Sequence, residues 1–305
     1  MESSGRRTLA VVVPVHNELA NIGPFFERLA AALATLPGIE SRIVFVNDGS
    51  DDGSYERIRE LARSDDRVKI VTLSRQFGYH GVLMAGLSLA SADLYAIVDV
   101  DGEDPPELFR EFLAAIVSGA DVAYGIRSNR PEPSPITFGR RLFYYVNKWI
   151  ADSEIIVWMA EFAMITRQVR DAIIAPRTTY PFLRAEIGYV GFARVGIPYV
   201  RGARMSGKTH YSMWRMTRFA VSGFLASSTF PLRLILYLAA LTAVLFPVAM
   251  AVVGGGPAGA TTLAAITALY FILFSLPTIA LYLARTYKNG VARPTFIVDR
   301  NKTSL

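Results

Sequence analysis

Leu94-Tyr-Ala-Ile-Val98-Asp99-Val-Asp101-Gly-Glu103-Asp104-Pro-Pro-Glu-Leu108 decides how the rest of the chain is read. The apolar run 94–98 has the length and composition of a buried strand, and Pro105 and Pro106 stop regular structure just beyond it. Alternate side chains of a strand share a face, so Asp99 and Asp101 are expected on one side, with Glu103 close by. In an open α/β sheet, the carboxyl ends of the strands are where ligands bind. Clustered carboxylates repel one another unless a cation sits among them. Hard oxygen ligands suit Mg²⁺ or Mn²⁺, which also bind substrate phosphates. A lone D-x-D also fits an acidic surface turn, so the neighbouring segments have to decide.

Working outward, the chain alternates strand and helix. Strands are expected at 9–13, 42–46, 68–73 and 121–125. Helices are expected at 21–36 (with Asn21 as cap), 54–63, 80–90 and 107–118. Each strand runs into polar or Gly-containing residues rather than a hairpin turn. The pattern predicts an α/β fold with a mostly parallel sheet covered on both faces. The first βα turn is not G-x-G-x-x-G, and no G-x-x-x-x-G-K-[ST] occurs, which argues against a dinucleotide oxidoreductase or a P-loop NTPase. A loop with Pro131, Pro133 and Pro135 leads to an amphipathic helix at 138–151. There Arg140, Arg141, Tyr144 and Tyr145 suit an exposed face or a membrane interface equally. Glu161 stands in the apolar run 154–166, where a carboxylate is either paired or functional. Two short strands are expected within 188–200. The basic loop 201–211, carrying Arg201, Arg204 and Lys208, suits phosphate binding.

Of 305 residues, 52% are hydrophobic, and the excess lies toward the C-terminal side. There are no cysteines and only three scattered histidines, so disulfides, thiolate metal sites and His-based zinc sites are not expected. The formal net charge is +6. The apolar C-terminal side favours an anionic membrane surface or a phosphate-bearing substrate over nucleic acid. No signal peptide is expected from residues 1–15. Residues 232–253, apolar apart from Arg233, and the uncharged 261–284 are each long enough to cross a hydrocarbon core of about 30 Å. Arg215, Arg218 and Arg233 flank one outer end of this hairpin, and Arg285, Lys288 and Arg293 the other. The positive-inside rule then places the N-terminal domain and both termini in the cytoplasm. The expected organisation is a catalytic domain over 1–210, an interfacial amphipathic helix over 211–231, a transmembrane hairpin over 232–284 and a tail over 285–305.

With these segments in hand, the chain resembles the family 2 glycosyltransferases. Within them it is similar to the polyprenyl-phosphate glycosyltransferases, which include dolichol-phosphate mannose synthase and undecaprenyl-phosphate glucosyltransferases. The resemblance rests on VVVPVHNE (11–18), VNDGSDDGS (46–54), LSRQFGYHGVLMAGLSLA (73–90), DVDGEDPPEL (99–108) and YGIRSNR (124–130). It continues through YVGF (189–192), YVRGARMSGKTHY (199–211), FPLRL (230–234) and RTYKNGVARPTFIV (285–298).

The resemblance implies a GT-A-type, Rossmann-like domain, a divalent metal (Mg²⁺ or Mn²⁺), a nucleotide-sugar donor (a UDP-sugar or GDP-mannose) and a polyprenyl-phosphate acceptor. It implies an inverting transfer at the cytoplasmic face of the bilayer, and the family often forms homo-oligomers. Pro14, His16, Glu18, Asp48, Ser74, Gln76, Gly78 and Asp99 match donor-binding positions. Asp99, Asp101 and Glu103 match the metal motif, with Glu103 where Gln is usual and Gly102 where Leu is usual. Arg127, Arg140, Arg141, Arg201 and Arg204 resemble acceptor-phosphate positions. Asp101, Glu161 and Arg204 stand at the positions expected to carry catalysis. Glu161 replaces the family's Asp in a G-D-F-R-L-like motif that here reads AEFAMI, so Ala163 stands in place of Arg. Two competing readings are a polysaccharide synthase, which usually carries a Q-x-x-R-W motif not found here, and a degenerate membrane-tethered nucleotide-sugar binder.

Overall fold

The period-2 alternation of the first strand builds both faces of a central sheet. In β1 (Arg7–Val15), Leu9, Val11 and Val13 enter one hydrophobic cluster, while Ala10 and Val12 enter the other. In the computed structural model, which describes residues 6–128, 159–176, 179, 181–203, 228–253 and 257–305, the chain continues as an alternation of elements. They are α1 (Leu19–Ala34), β2 (Ile39–Asn47), α2 (Ser54–Ser64), β3 (Val68–Thr72), α3 (Tyr79–Leu89), β4 (Leu94–Ile97) and α4 (Phe109–Val117). Then come β5 (Val122–Arg127), β6 (Met159–Thr166), α5 (Arg167–Ile174), α6 (Leu183–Tyr189) and β7 (Arg194–Tyr199). The two long apolar helices are α7 (Phe230–Val253) and α8 (Pro257–Val291).

The seven strands lie in the order β3-β2-β1-β4-β6-β5-β7. β1 pairs parallel with β2 and β4, β2 with β3, and β5 with β7, while β6 runs antiparallel to β4 and β5. Every strand but β6 therefore points the same way. The carboxyl ends of β1–β5 and β7 share one edge, and β6 begins at that edge. The helices cover both faces: Ile22, Phe25 and Leu29 of α1 and Phe109 and Phe112 of α4 on one side, Val82, Leu83 and Leu87 of α3 and Val169 of α5 on the other. Burial on both faces explains the continuous apolar runs of these strands.

Three local expectations differ from the structure. Asn21 does not cap α1, which starts at Leu19. Asn21 is instead buried in the first turn, where its amide donates to the Glu18 carboxylate at 2.5 Å. The stretch 188–200 holds the end of α6 and one strand rather than two strands. β4 ends at Ile97, so Asp99 and Asp101 are carried by a turn and not by strand alternation. The expected helix at 138–151 with Arg140 and Arg141, the loop position Arg204, and residues 211–227 of the interfacial segment lie outside the described residues.

α7 and α8 pack against each other and are long and apolar enough to cross a membrane. Only 6% of each apolar window is buried, and Leu241, Val244, Val248, Leu269, Leu273 and Leu276 face outward. A soluble core helix would bury such a surface. This one suits lipid contact, the more so because Pro247 and Pro277 inside the helices are tolerated in a bilayer. Beyond α8 the chain turns back to the sheet and pairs with β3, through bridges Ile70–Ser304 and Leu73–Val298. That return was not read from the sequence.

Candidate active site

The ends of β1, β2 and β3 form one side of a crevice at the sheet edge. Asp48, 3% exposed, accepts hydrogen bonds from the Phe77 and Gly78 backbone N–H groups at 2.7 and 2.9 Å. Gly78 has φ +85°, a conformation that favours glycine and lets its N–H turn toward this carboxylate. His16 Nδ1 lies 3.0 Å from the Asp48 carbonyl oxygen, and its Nε2 lies 3.0 Å from Nε2 of Gln76. With the Gln76 amide donating, His16 Nε2 accepts and Nδ1–H donates. Glu18 is held by Asn21, and its backbone N–H donates to Ser54 Oγ at 3.1 Å. The loop after β3 is thus stitched to the ends of β1 and β2. Asp48→Ala leaves two N–H groups without their acceptor. It is expected to cost about 1–3 kcal/mol in a thermal or denaturant melt.

The centre of the edge is acidic. Tyr79, at the first position of α3, donates its hydroxyl to Asp99 Oδ1 at 2.8 Å. Burial, then the charges of Asp104 and Asp101, push the Asp99 carboxyl up to about 7. Burial and the neighbouring Asp99 and Glu161 charges raise the Tyr79 phenol, which therefore stays protonated and donates. Asp101, 7% exposed, accepts from the Glu103 N–H at 3.1 Å. Arg28 of α1 donates to the Gly102 carbonyl at 3.0 Å and pairs with Glu107, which fastens the acidic turn to the helix layer. Among the described residues, no three His, Asp or Glu side chains converge as a ready-formed cation cage. The chemistry nevertheless fits a divalent cation. The donors are hard carboxylate oxygens, and Asp99 is ill at ease beside Asp101 and Asp104 as long as only protein charges surround it.

The other side of the crevice is basic, and its cations are held by carboxylates. Asp104, 2% exposed, takes the Tyr199 hydroxyl and lies 3.3 Å from the Arg127 guanidinium. Arg127 Nε donates to the Tyr199 hydroxyl oxygen at 3.0 Å. Burial works against the Arg127 cation, but Asp104 and Tyr199 outweigh it and hold the guanidinium charged. Arg201 pairs with Glu103 and lies 3.9 Å from Asp104, and Gly202 N–H donates to the Glu103 carbonyl at 2.8 Å. An aromatic cluster of Phe109, Phe112, Phe162 and Tyr199, with ring centroids 4.8–6.2 Å apart, supports this turn from beneath. A Cβ on Gly125 would stand 2.6 Å from Tyr199 Cε1. Gly125→Ala should therefore cost about 1–3 kcal/mol and turn the Tyr199 hydroxyl away from Arg127, read as a lower melting temperature and a raised KM for a phosphate-bearing substrate.

Glu161 reaches the same edge because β6 runs antiparallel and begins there. It is 8% exposed and lies 3.3 Å from Arg184 Nε of α6. His80, between Tyr79 and Phe182, is kept below the ordinary imidazole range chiefly by burial.

The sheet edge thus brings together Pro14, His16, Glu18, Asp48, Gln76, Gly78, Asp99, Asp101, Glu103, Arg127, Glu161 and Arg201. Ser74 lies on the same loop, but its backbone N–H is spent on the Ile297 carbonyl at 2.8 Å. Sequence reading missed Tyr79, Arg184, Tyr199 and the hub role of Asp104. Tyr79 and Asp104 sit inside quoted motifs, where a buried polar residue beside an acidic cluster is a readable signal. Arg184 and Tyr199 meet their partners only through the fold.

Residues 10–173 match the family model described as glycosyl transferase family 2. A glycosyltransferase of Bacillus subtilis (strain 168), YkcC, is 31% identical, covering 96% of this chain and 93% of its own length. A prophage bactoprenol glucosyl transferase homolog of Escherichia coli (strain K12) is 29% identical, covering 96% and 99%. In shape, the chain is similar to glucosyl-3-phosphoglycerate synthase from Mycobacterium tuberculosis, crystallised with Mn²⁺, uridine diphosphate and phosphoglyceric acid. The TM-score is 0.50 at 19% identity, over 72% of this chain and 78% of that one, a likeness of fold.

Proposed function

Since the chain belongs to glycosyl transferase family 2, we propose that it transfers a hexose from a nucleotide-sugar to a polyprenyl phosphate at the cytoplasmic face of a membrane, with inversion at the anomeric carbon. One observation carries this reading. An acidic centre, Asp99 and Asp101, stands beside two carboxylate-held cations, Arg127 and Arg201, on one sheet edge of a chain that also carries two long apolar helices. The relatives named for bactoprenol glucosyl transfer, matched over nearly the whole chain, support the acceptor class.

Asp99 and Asp101, with Glu103 beside them, would hold Mg²⁺ or Mn²⁺. Such an ion neutralises a donor diphosphate and stabilises the charge of the departing nucleotide. The protein's own part is positioning. The loop 74–78, tied to Asp48 and His16, forms the wall against which the nucleoside rests. Arg127 and Arg201 attract the acceptor phosphate, with Arg204 of the same loop. A phosphate monoester is largely ionised at neutral pH (second pKa about 6), so its attack needs little base catalysis. Glu161, paired with Arg184, orients the sugar or takes the residual proton. The catalytic unit spans 1–210, and α7 and α8 form a hairpin whose flanking Arg and Lys keep that unit on the cytoplasmic side.

The test is a transfer assay in detergent with polyprenyl phosphate, Mg²⁺ or Mn²⁺ and a panel of UDP- and GDP-sugars, glycolipid being read by mass spectrometry. A metal-dependent product from one donor is expected. Nucleotide-sugar binding without product from any donor would overturn the enzyme reading in favour of a tethered binder.

A further inference from the structure

The segment that leaves the second long helix returns to the sheet beside the candidate donor loop. Ala292 adopts φ +50°, a conformation costly for a residue with a Cβ, and turns the chain out of α8. Just before it, Thr179 donates its N–H to Asn289 Oδ1 at 3.0 Å and its hydroxyl to the Lys288 carbonyl at 3.1 Å. The chain then runs along the outer edge of β3. Ile70 and Ser304 exchange both backbone hydrogen bonds at 2.8 Å. Asp299 N–H donates to the Thr72 carbonyl at 2.8 Å. The Thr72 N–H donates to Thr303 Oγ1 at 3.1 Å, and the Thr72 hydroxyl donates to the Lys302 carbonyl at 2.9 Å. Ser74 N–H donates to the Ile297 carbonyl at 2.8 Å.

This pairing does more than cover a sheet edge. It ends at Ser74, where the loop that carries Gln76 and the two N–H groups clasping Asp48 begins. Phe296 and Val298 pack against the same hydrophobic cluster as Phe77 and Tyr79, the residues that bracket Gly78. Gly81, in the first turn of α3, has no Cβ where the Thr295 carbonyl oxygen passes, and an added Cβ would lie 3.3 Å from that oxygen. Tyr79 in turn holds Asp99. Residues 295–304 therefore brace, from outside, a loop whose inner side is tied to His16 and Asp48.

We infer that residues 295–304 are a positioning element of the donor site: docked on β3, they hold the loop 74–79 in its nucleotide-binding conformation. This rests on the glycosyl-transfer reading above. It makes donor affinity depend on a segment anchored to the base of the apolar hairpin.

The test uses the full chain in detergent, with Phe296→Ala and Thr303→Val combined. Phe296 packs against the cluster shared with Phe77 and Tyr79, and Thr303 Oγ1 accepts from the Thr72 N–H. Binding of UDP and of GDP in the presence of Mg²⁺ or Mn²⁺ is measured by calorimetry, beside KM for donor and for polyprenyl phosphate. The expected result is a rise of five-fold or more in nucleotide Kd and in donor KM, with acceptor KM within two-fold of wild type. The chain contains no native cysteine, so Ile70→Cys with Ser304→Cys can lock the segment in place at a directly paired position. Oxidation in the Phe296→Ala/Thr303→Val background is expected to restore nucleotide affinity, also where that variant alone no longer melts cooperatively. Unchanged Kd in the double variant, equal shifts of donor and acceptor KM, or no restoration by the cross-link would each overturn the inference. Wild-type protein that binds neither UDP nor GDP would instead overturn the glycosyl-transfer reading on which it rests.

Discussion

Asp101→Asn is expected to leave the fold standing and to lower glycosyl transfer by about 10³-fold. The substitution is close to isosteric. The Asp101 carboxylate accepts from the Glu103 N–H at 3.1 Å, and an amide oxygen accepts that bond equally well. The turn 101–104 is fixed mainly by other contacts, from Arg28 to Gly102 and Glu107, from Gly202 to Glu103, and from Tyr199 and Arg127 to Asp104. What the variant loses is one negative charge from the centre proposed to hold a divalent cation beside the donor diphosphate. Two measurements separate the effects. The melting temperature should stay near wild type, while the initial rate at saturating donor collapses across the whole Mg²⁺ or Mn²⁺ titration. Turnover close to wild type would remove the carboxylate clamp from the mechanism.

The strand alternation made the sheet readable. Residues 9–15, 43–46 and 94–97 are apolar throughout, and 68–71 apart from Lys69, because both faces are covered, and such runs stand out in any sequence. The positions of His16, Asp48 and Gly78 were readable for the same reason, since each follows directly on a strand or starts a helix; their match to donor positions came only from the family resemblance. The antiparallel β6 was not readable. Its eight residues are as apolar as a parallel strand, and its direction is set by pairing with β4 and β5 across more than 30 residues of chain. That direction is what brings Glu161 to the active edge, so the residue was singled out for its odd surroundings and not for its place.

Pairings between distant segments were the harder part. Arg201 and Glu103, Arg127 and Asp104, and Glu161 and Arg184 are each joined only by topology. Composition showed a basic loop and an acidic turn, but not that they neutralise each other. The return of residues 295–304 to β3 was hidden differently. Thr295-Phe-Ile-Val298 has the composition of a strand, yet its partner lies more than 220 positions earlier, and the segment follows a hairpin that sequence reading had assigned to the membrane.

The buried hub is where a single change should cost the most stability. Asp104→Ala is expected to lower stability by about 3–5 kcal/mol, because it removes one partner of a buried ion pair and leaves the other in place. Arg127 is only 14% exposed in its side chain and Asp104 only 2%, so water cannot replace the lost carboxylate. The Tyr199 hydroxyl loses its acceptor at the same time, and keeps only the bond it accepts from Arg127 Nε among its described contacts. Asp104→Asn keeps the shape and an acceptor oxygen for Tyr199, and gives up only the charge. It should therefore be the milder variant in a melt while still raising the KM for a phosphate-bearing acceptor, since Arg127 and Arg201 are no longer held by it. Melting in detergent orders the three proteins as wild type, Asn, Ala. An Ala variant as stable as wild type would mean that Arg127 finds another carboxylate, and Asp99, whose charge already acts on the Arg127 guanidinium, is a candidate for Arg127 to capture.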